Sequence, residues 1–316
     1  MESAETTSIE GTVDVSGRGP LLGRGQGLSG SGGSYGGSGG QTQDMCAAVP
    51  GVYFSVYSAQ IGSLNVAEEV EQDPVSGGEG SGGGVDVEGG GRGGGLIQVQ
   101  GKDVLLAGGA LLSMGSTSVV AGVGSGSGGG VSILAVRSLA SIDMVITVTG
   151  GAANTESNIA GGSGGRVTVQ ASEALDVSAV WGLQGGGNSS APWEGSCLTG
   201  SSGTLLWISS RMGTSVLYAH NNAQVSFAAT LLTETTILNA LTDTLVYDAA
   251  AVALVNIQSP HNSMVLRGGG AVVGSYSVMK SNENITDSKS CYALCDWHGI
   301  ASHRIAFGGG GAFNQN

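Results

Sequence analysis

The chain reads as all-β: a β-solenoid or parallel β-helix with glycine-rich loop insertions. Three observations predict this. A glycine run followed by a short aliphatic strand occurs four times, as GRGGGLIQVQ (91–100), GSGGGVSILAV (126–136), GGSGGRVTVQA (161–171) and GSSGTLLWIS (200–209). The last glycines of these runs, Gly95, Gly130, Gly165 and Gly203, are spaced by 35, 35 and 38 residues, and a fixed period of this size marks a repeat architecture. After the first three runs, aliphatic residues alternate with polar ones such as Gln98, Ser132, Thr168 and Gln170. That period of two gives a strand with one buried face.

The elements follow in chain order. Residues 1–10 read as a frayed terminus. Residues 11–17, GTVDVSG, alternate Val13 and Val15 with polar residues and predict a strand. Residues 17–40 are dominated by glycine and carry Pro20, which blocks a helix. Strand character returns at 52–70, followed by acidic residues Glu68, Glu69, Glu71 and Asp73. Residues 11–76 therefore form an N-terminal glycine-rich loop and strand region.

The repeats occupy 77–260. In each, a first strand directly follows the glycines, with Ile97 and Val99, Val131 and Ile133, Val167 and Val169, and Leu205 and Trp207 as the inward pairs. A second strand lies about ten residues on, at 104–106, 142–148, 175–177 and 216–218. One repeat cannot bury its own apolar face, whereas a stack can, with like residues one above another. The glycine runs are then loops leaving one corner of successive coils, read as solvated, with pairing to one another as polyproline-II-like strands the second reading, since only glycine fits such close backbone packing. Residues 210–260 lack glycine runs and predict further coils, with helix the competing reading for 231–245. Residues 261–316 comprise a strand pair near RGGGAVVGSYSVM and a tail bearing cysteine and histidine.

Composition narrows the function. Glycine supplies 60 of 316 residues but not every third position, which excludes a collagen helix. Abundant short aliphatic clusters argue against disorder. The net charge is −13, and the lysines are Lys102, Lys280 and Lys289, so no basic stripe for nucleic acid or anionic membrane is present. No stretch of about 20 apolar residues spans a bilayer. The N-terminus, MESAETTSIE, lacks the basic and apolar regions of a signal peptide, so the chain reads as part of a longer polypeptide.

The ordered pieces GSGGSYGGSGG followed by Cys46, then GGGRGGGLIQVQ, GSGSGGGVSILAV and GGSGGRVTVQ, then Cys197 and GSSGTLLWISSRMGTSVLYAHNN, resemble large glycine-rich extracellular repeat proteins of plants and protists. Some members of that family are labelled ephrin receptor-like. The resemblance covers roughly residues 11–257 and its more specific part is the ordered series with Asn221 and Asn222 at its end. It implies an extracellular or cell-surface location and assigns no chemistry to any residue. The cysteine-rich module of that family is absent from this chain.

Candidate sites are few. Glycines that lead into strands do not make a dinucleotide site, which needs a strand, a turn and a helix. The Gly101–Lys102 pair is followed by Asp103, not by the Ser or Thr of a phosphate loop. A calcium β-roll repeat is approached once, at 81–86. Cys291, Cys295, His298 and His303 have the ligand types of a small zinc site, against a local disulfide or free thiols with two surface histidines. Cys46 and Cys197 lie in or beside corresponding corners and form a candidate disulfide, given Cα atoms within about 7 Å. Asn188 and Asn284 begin N-glycosylation sequons. The one carboxylate row to be constructed is Asp103, Asp143 and Asp176, beside the second strands. Stacked unpaired acids repel, so solvent-facing corners are the simpler reading.

The sequence thus points to a structural or adhesive segment of a larger secreted or cell-surface protein. It would be without catalysis or cofactor, with carbohydrate or other matrix components as partners. The competing class is a carbohydrate-active lyase or hydrolase of β-helix fold. That class needs two acids about 5–9 Å apart beside a basic residue.

Overall fold

The structure, a computed structural model, describes residues 6–19, 31–42, 89–187, 197–224, 226, 228–233, 243–255, 263–266, 271–274, 283–285, 291–294, 304–307 and 311–312. Among them there is no helix, and most strand pairs are parallel. The strands are β1 (Thr6–Asp14), β2 (Leu96–Leu112), β3 (Gly130–Thr147), β4 (Arg166–Gly182), β5 (Thr204–Ser209), β6 (Thr214–His220), β7 (Thr230–Thr233), β8 (Asp243–Tyr247), β9 (Ala251–Val255), β10 (Ser263–Leu266), β11 (Ala271–Gly274), β12 (Glu283–Ile285), β13 (Cys291–Leu294), β14 (Arg304–Phe307) and β15 (Gly311–Ala312). One nine-stranded sheet runs β1-β2-β3-β4-β5-β6-β8-β10-β12, and a six-stranded sheet runs β15-β14-β13-β11-β9-β7.

The inward residues anticipated from alternation stack as expected. Ile97, Val131, Val167 and Leu205 lie in one row, and Val99, Ile133, Val169 and Trp207 in the next. All but Trp207 are buried, and Trp207 packs half-exposed against the cluster. β-Branched side chains suit such a row because they pack well on a pleated surface.

The first and second strands of each repeat prove continuous, 17 or 18 residues long in β2, β3 and β4. Each long strand folds back on itself. The Ser113 hydroxyl donates to the Gly95 carbonyl at 2.5 Å, so the residue after β2 lies beside the residue before it. Ile97 and Leu111, near opposite ends of the strand, share one core.

Irregularities make the bends. β3 carries Val136 and Arg137 opposite the single Lys102 of β2, an extra residue that kinks the strand and re-aims its side chains. Further on, Gly109 and its partner Gly11 have φ of 100° and 98°. A Cβ on Gly109 would collide with the Gly11 backbone. The register pairs Val104 with Leu139, so the second arm of β3 begins at Leu139 rather than at Ile142. β1 starts at Thr6, inside the stretch read as frayed.

The fourth repeat departs from the pattern. β6 returns antiparallel to β5, with Thr204 opposite Ala219 and Ser209 opposite Thr214. From β7 to β13 the chain alternates between the two sheets at each strand, and β14 and β15 then follow β13 antiparallel in the same sheet. Met264 stacks on Thr244, and Val272 on Val252. Each is 20 residues beyond its partner. Residues 231–233 belong to strand β7, and those at 243–245 to β8, where helix was the competing reading.

The glycine runs are not solvated loops. The described glycines at 32–40 and 124–130, and Gly91, Gly93 and Gly94, are buried. Residues 27–30 and 77–88 of those runs lie outside the described residues. In each repeat an outgoing segment (113–118, 148–153, 183–187) lies beside a returning one (124–130, 159–165, 197–203). Gly129 N–H donates to Ser113 C=O at 2.8 Å and Gly126 N–H to Ser116 C=O at 2.9 Å. Successive returning segments bond likewise, Gly128 to Ser163 at 2.8 Å and Gly164 to Ser201 at 2.9 Å.

Residues 31–42, hereafter the strap, form a third layer over the returning segments. Gly33 N–H donates to Ser125 C=O, Ser163 N–H to Gly33 C=O, Gly40 N–H to Gly161 C=O and Ser201 N–H to Ser38 C=O. Burial without such partners costs several kcal/mol per amide. Neighbouring backbones meet so closely that a Cβ on Gly126 would penetrate the Arg92 carbonyl, and one on Gly162 the Gly126 carbonyl. Serine is the tolerated exception. Ser125 Oγ donates to Ala152 C=O at 2.7 Å, and Ser163 Oγ accepts the Tyr35 N–H at 3.0 Å.

Candidate functional site

Charged chemistry in the described repeats gathers at the first bend of the long strands. Asp103 stacks on Ser138, and Ser138 on Glu173. The bulge in β3 turns Arg137 outward onto Asp103, whose Oδ1 accepts from Arg137 Nε at 2.7 Å and from Ser138 Oγ at 2.5 Å. Arg137 Nη2 bridges the other carboxylate oxygen. One rung further, Arg211 Nη1 pairs with Glu173 Oε1. The Arg137 and Ser138 hydrogen bonds hold the Asp103 carboxyl down at about 2. Asp103 is therefore a fixed anion at ordinary pH and cannot serve as a proton donor, which needs a raised pKa.

The carboxylate row that could be constructed from Asp103, Asp143 and Asp176, against the simpler reading of solvent-facing corners, does not form. Asp143 sits at the second bend with φ of 50°, one residue before Met144, which pairs with Gly109. Along the backbone, Asp176 falls between Ala174, opposite Leu139, and Val177, opposite Ser141. The acid level with Asp103 is Glu173, two rungs away, which at about 4.8 Å per rung is roughly 10 Å. Sequence reading missed Arg137, Glu173 and Arg211. A signal existed, since Asp103, Ser138, Glu173 and Arg211 repeat the 35, 35 and 38 spacing of the glycine runs.

A second polar cluster closes the last glycine segments. Asn221, fully buried, accepts the Gly185 N–H on Oδ1 at 2.9 Å and donates from Nδ2 to Gln224 C=O at 2.7 Å. His220 Nδ1 accepts the Asn222 N–H at 3.0 Å, which leaves the proton on Nε2, 3.1 Å from the Trp181 carbonyl. Asn221 thus clamps two backbone segments together. A third feature is Arg166, 1% exposed, with its guanidinium carbon 4.8 Å from the centre of the buried Tyr35 ring. This cation–π contact pins the strap to the start of β4.

Of the residues that the sequence suggested for metal binding or modification, Cys291 opens β13 and Asn284 lies in β12 opposite Val265. Cys46, Asn188, Cys295, His298 and His303 lie outside the described residues. Cys197 is buried and disulfide-bonded. Among the described residues no helix is long and apolar enough to cross a membrane. Compared with known proteins, the chain matches no family model, no curated protein and no solved structure.

Proposed function

We propose that this chain is a structural or adhesive segment of a larger secreted or cell-surface protein. The observation that carries the reading is the three-layered glycine bundle. Its backbones are cross-bonded in two directions and sealed by a buried Arg–Tyr contact. Such packing suits a stiff spacer or a display surface. The disulfide at Cys197 supports an oxidising compartment, in keeping with the resemblance to glycine-rich extracellular repeat proteins.

The same reading takes the strand stack as a β-solenoid with two sizes of coil. Larger coils of about 35 residues carry a glycine stem, and smaller ones of 20 residues do without it. The exposed bend with Arg137, Glu173 and Arg211 offers charged and hydrogen-bonding groups to matrix carbohydrate. The competing enzyme reading needs two acids about 5–9 Å apart, whereas Asp103 and Glu173 lie two rungs, roughly 10 Å, apart and Asp103 is bound to Arg137 and Ser138 as an anion.

The test is affinity electrophoresis and reducing-end release on a panel of acidic and neutral polysaccharides. Retardation without new reducing ends is expected. Release of reducing ends that disappears in Glu173→Gln would install the enzyme instead.

A further inference from the structure

We propose that the edge of β4 beyond its first bend is an acceptor site for one extended strand of a partner polypeptide. The proposal goes beyond the adhesive reading and does not rest on it. β5 covers β4 only at 166–171. Among the described residues no strand pairs with 172–182 on that side. The direction of the backbone groups alternates along a strand, which tells what is left open. On the β5 side the Ala171 carbonyl accepts the Ser210 N–H, and the Leu183 carbonyl accepts the Gly203 N–H. The Gly182 carbonyl accepts from Val148, on the β3 side. Ala179 and Trp181 therefore turn their N–H and C=O groups to the uncovered side. His220 Nε2 meets the Trp181 carbonyl there at 3.1 Å and closes one end of the edge. Arg211 on Glu173 closes the other. The stretch from Glu173 to Trp181 reaches at most about 26 Å at the usual strand rise.

The inward rows end at this edge. Val13, Leu111, Ile146 and Trp181 form one row, in which Leu111 and Ile146 are fully buried and Trp181 is half-buried. Ile9, Leu106, Ser141 and Val177 form a second, and Gly11, Gly109, Met144 and Ala179 a third. On the outer side Ser178 is exposed and Val180 is 67% exposed. Open backbone groups beside an unfinished apolar row are what strand addition recognises.

The structure also shows which segment fits. At the opposite end of the same rows, β1 closes the stack with Ile9, Gly11 and Val13. A strand of the pattern aliphatic–x–Gly–x–aliphatic therefore matches Val177, Ala179 and Trp181. The chain's net charge of −13 favours a neutral or basic segment. A second copy stacked through its own β1 fits less well. Its β2 would lie where β5 and β6 already stand on the first arm.

The probe is a synthetic peptide copying residues 6–14 with E10K and D14K, titrated calorimetrically into the intact chain. Saturable binding is expected, and a scrambled peptide of the same composition should not bind. Ala179→Pro removes an N–H from the open edge and spares the ladder to β3, as prolines on edge strands do. It is expected to weaken the peptide about tenfold or more, one lost hydrogen bond and its clash, with the melting temperature held. In the parent chain, the peptide should slow hydrogen exchange at Ala179 and Trp181 by about tenfold or more while Val131 and Val167 stay as they were, as closure of a local edge does. Absence of binding, equal binding of the scrambled peptide, or slowed exchange elsewhere but not at Ala179 and Trp181 overturns the site.

Discussion

Gly162 shows what a single residue decides here. Its Cα faces the Gly126 carbonyl so closely that one methyl group has nowhere to go. Gly162→Ala is therefore expected to cost about 1–3 kcal/mol, the usual scale of overpacking, and to lower the melting temperature. A melting temperature equal to that of the parent would mean that the layers are looser than described. Asp103 makes the second prediction at this scale. Arg137 and Ser138 depress its pKa to about 2, below the unfolded value of about 4. The contribution to stability is thus present above about pH 4 and is lost as the pH falls through 2. A carboxyl NMR titration should show its midpoint near 2 and, in Arg137→Ala, a rise. A midpoint near 4 in the parent chain would dismiss the pairing.

The long bent strand is the unit of the stack. Its inner face carries Val131, Val167 and Leu205 in one row, and its outer face carries Val145 and Val180 in another. Val167 is fully buried and Val180 is 67% exposed. Val167→Ala should cost about 1–3 kcal/mol, as large-to-small core changes do. Val180→Ala should stay within about 0.5 kcal/mol, as surface changes do. Chemical denaturation of the two variants separates them. A reversed order, with Val180→Ala the less stable of the two, would place the strand in the opposite register, because a one-residue slip exchanges the faces.

At the scale of the whole molecule, an apolar core and a glycine core share the same repeats. Hydrophobic burial holds the first, while backbone hydrogen bonds and close contact hold the second. Amides at 124–130 and 161–165 are accordingly expected to resist hydrogen exchange as strongly as those of β3 and β4. Immediate exchange there would restore the picture of glycine loops in solvent.

The sequence by itself determined the strands and their stacking. Period-two alternation names the inward residues, and a constant 35-residue spacing sets them in rows, so Ile97, Val131, Val167 and Leu205 were legible. The same spacing carried Asp103, Ser138, Glu173 and Arg211, but the pairing of Arg137 with Asp103 depended on a bulge that only the folded strand reveals. Glycine was the harder case. It has no side chain to show a face, so its runs read alike whether solvated or packed. Only the tertiary structure, by bringing other glycine backbones within hydrogen-bonding reach, made them an interior. The switch to 20-residue steps, which sets Met264 on Thr244, was likewise decided by contacts far apart in the chain, which local alternation does not encode.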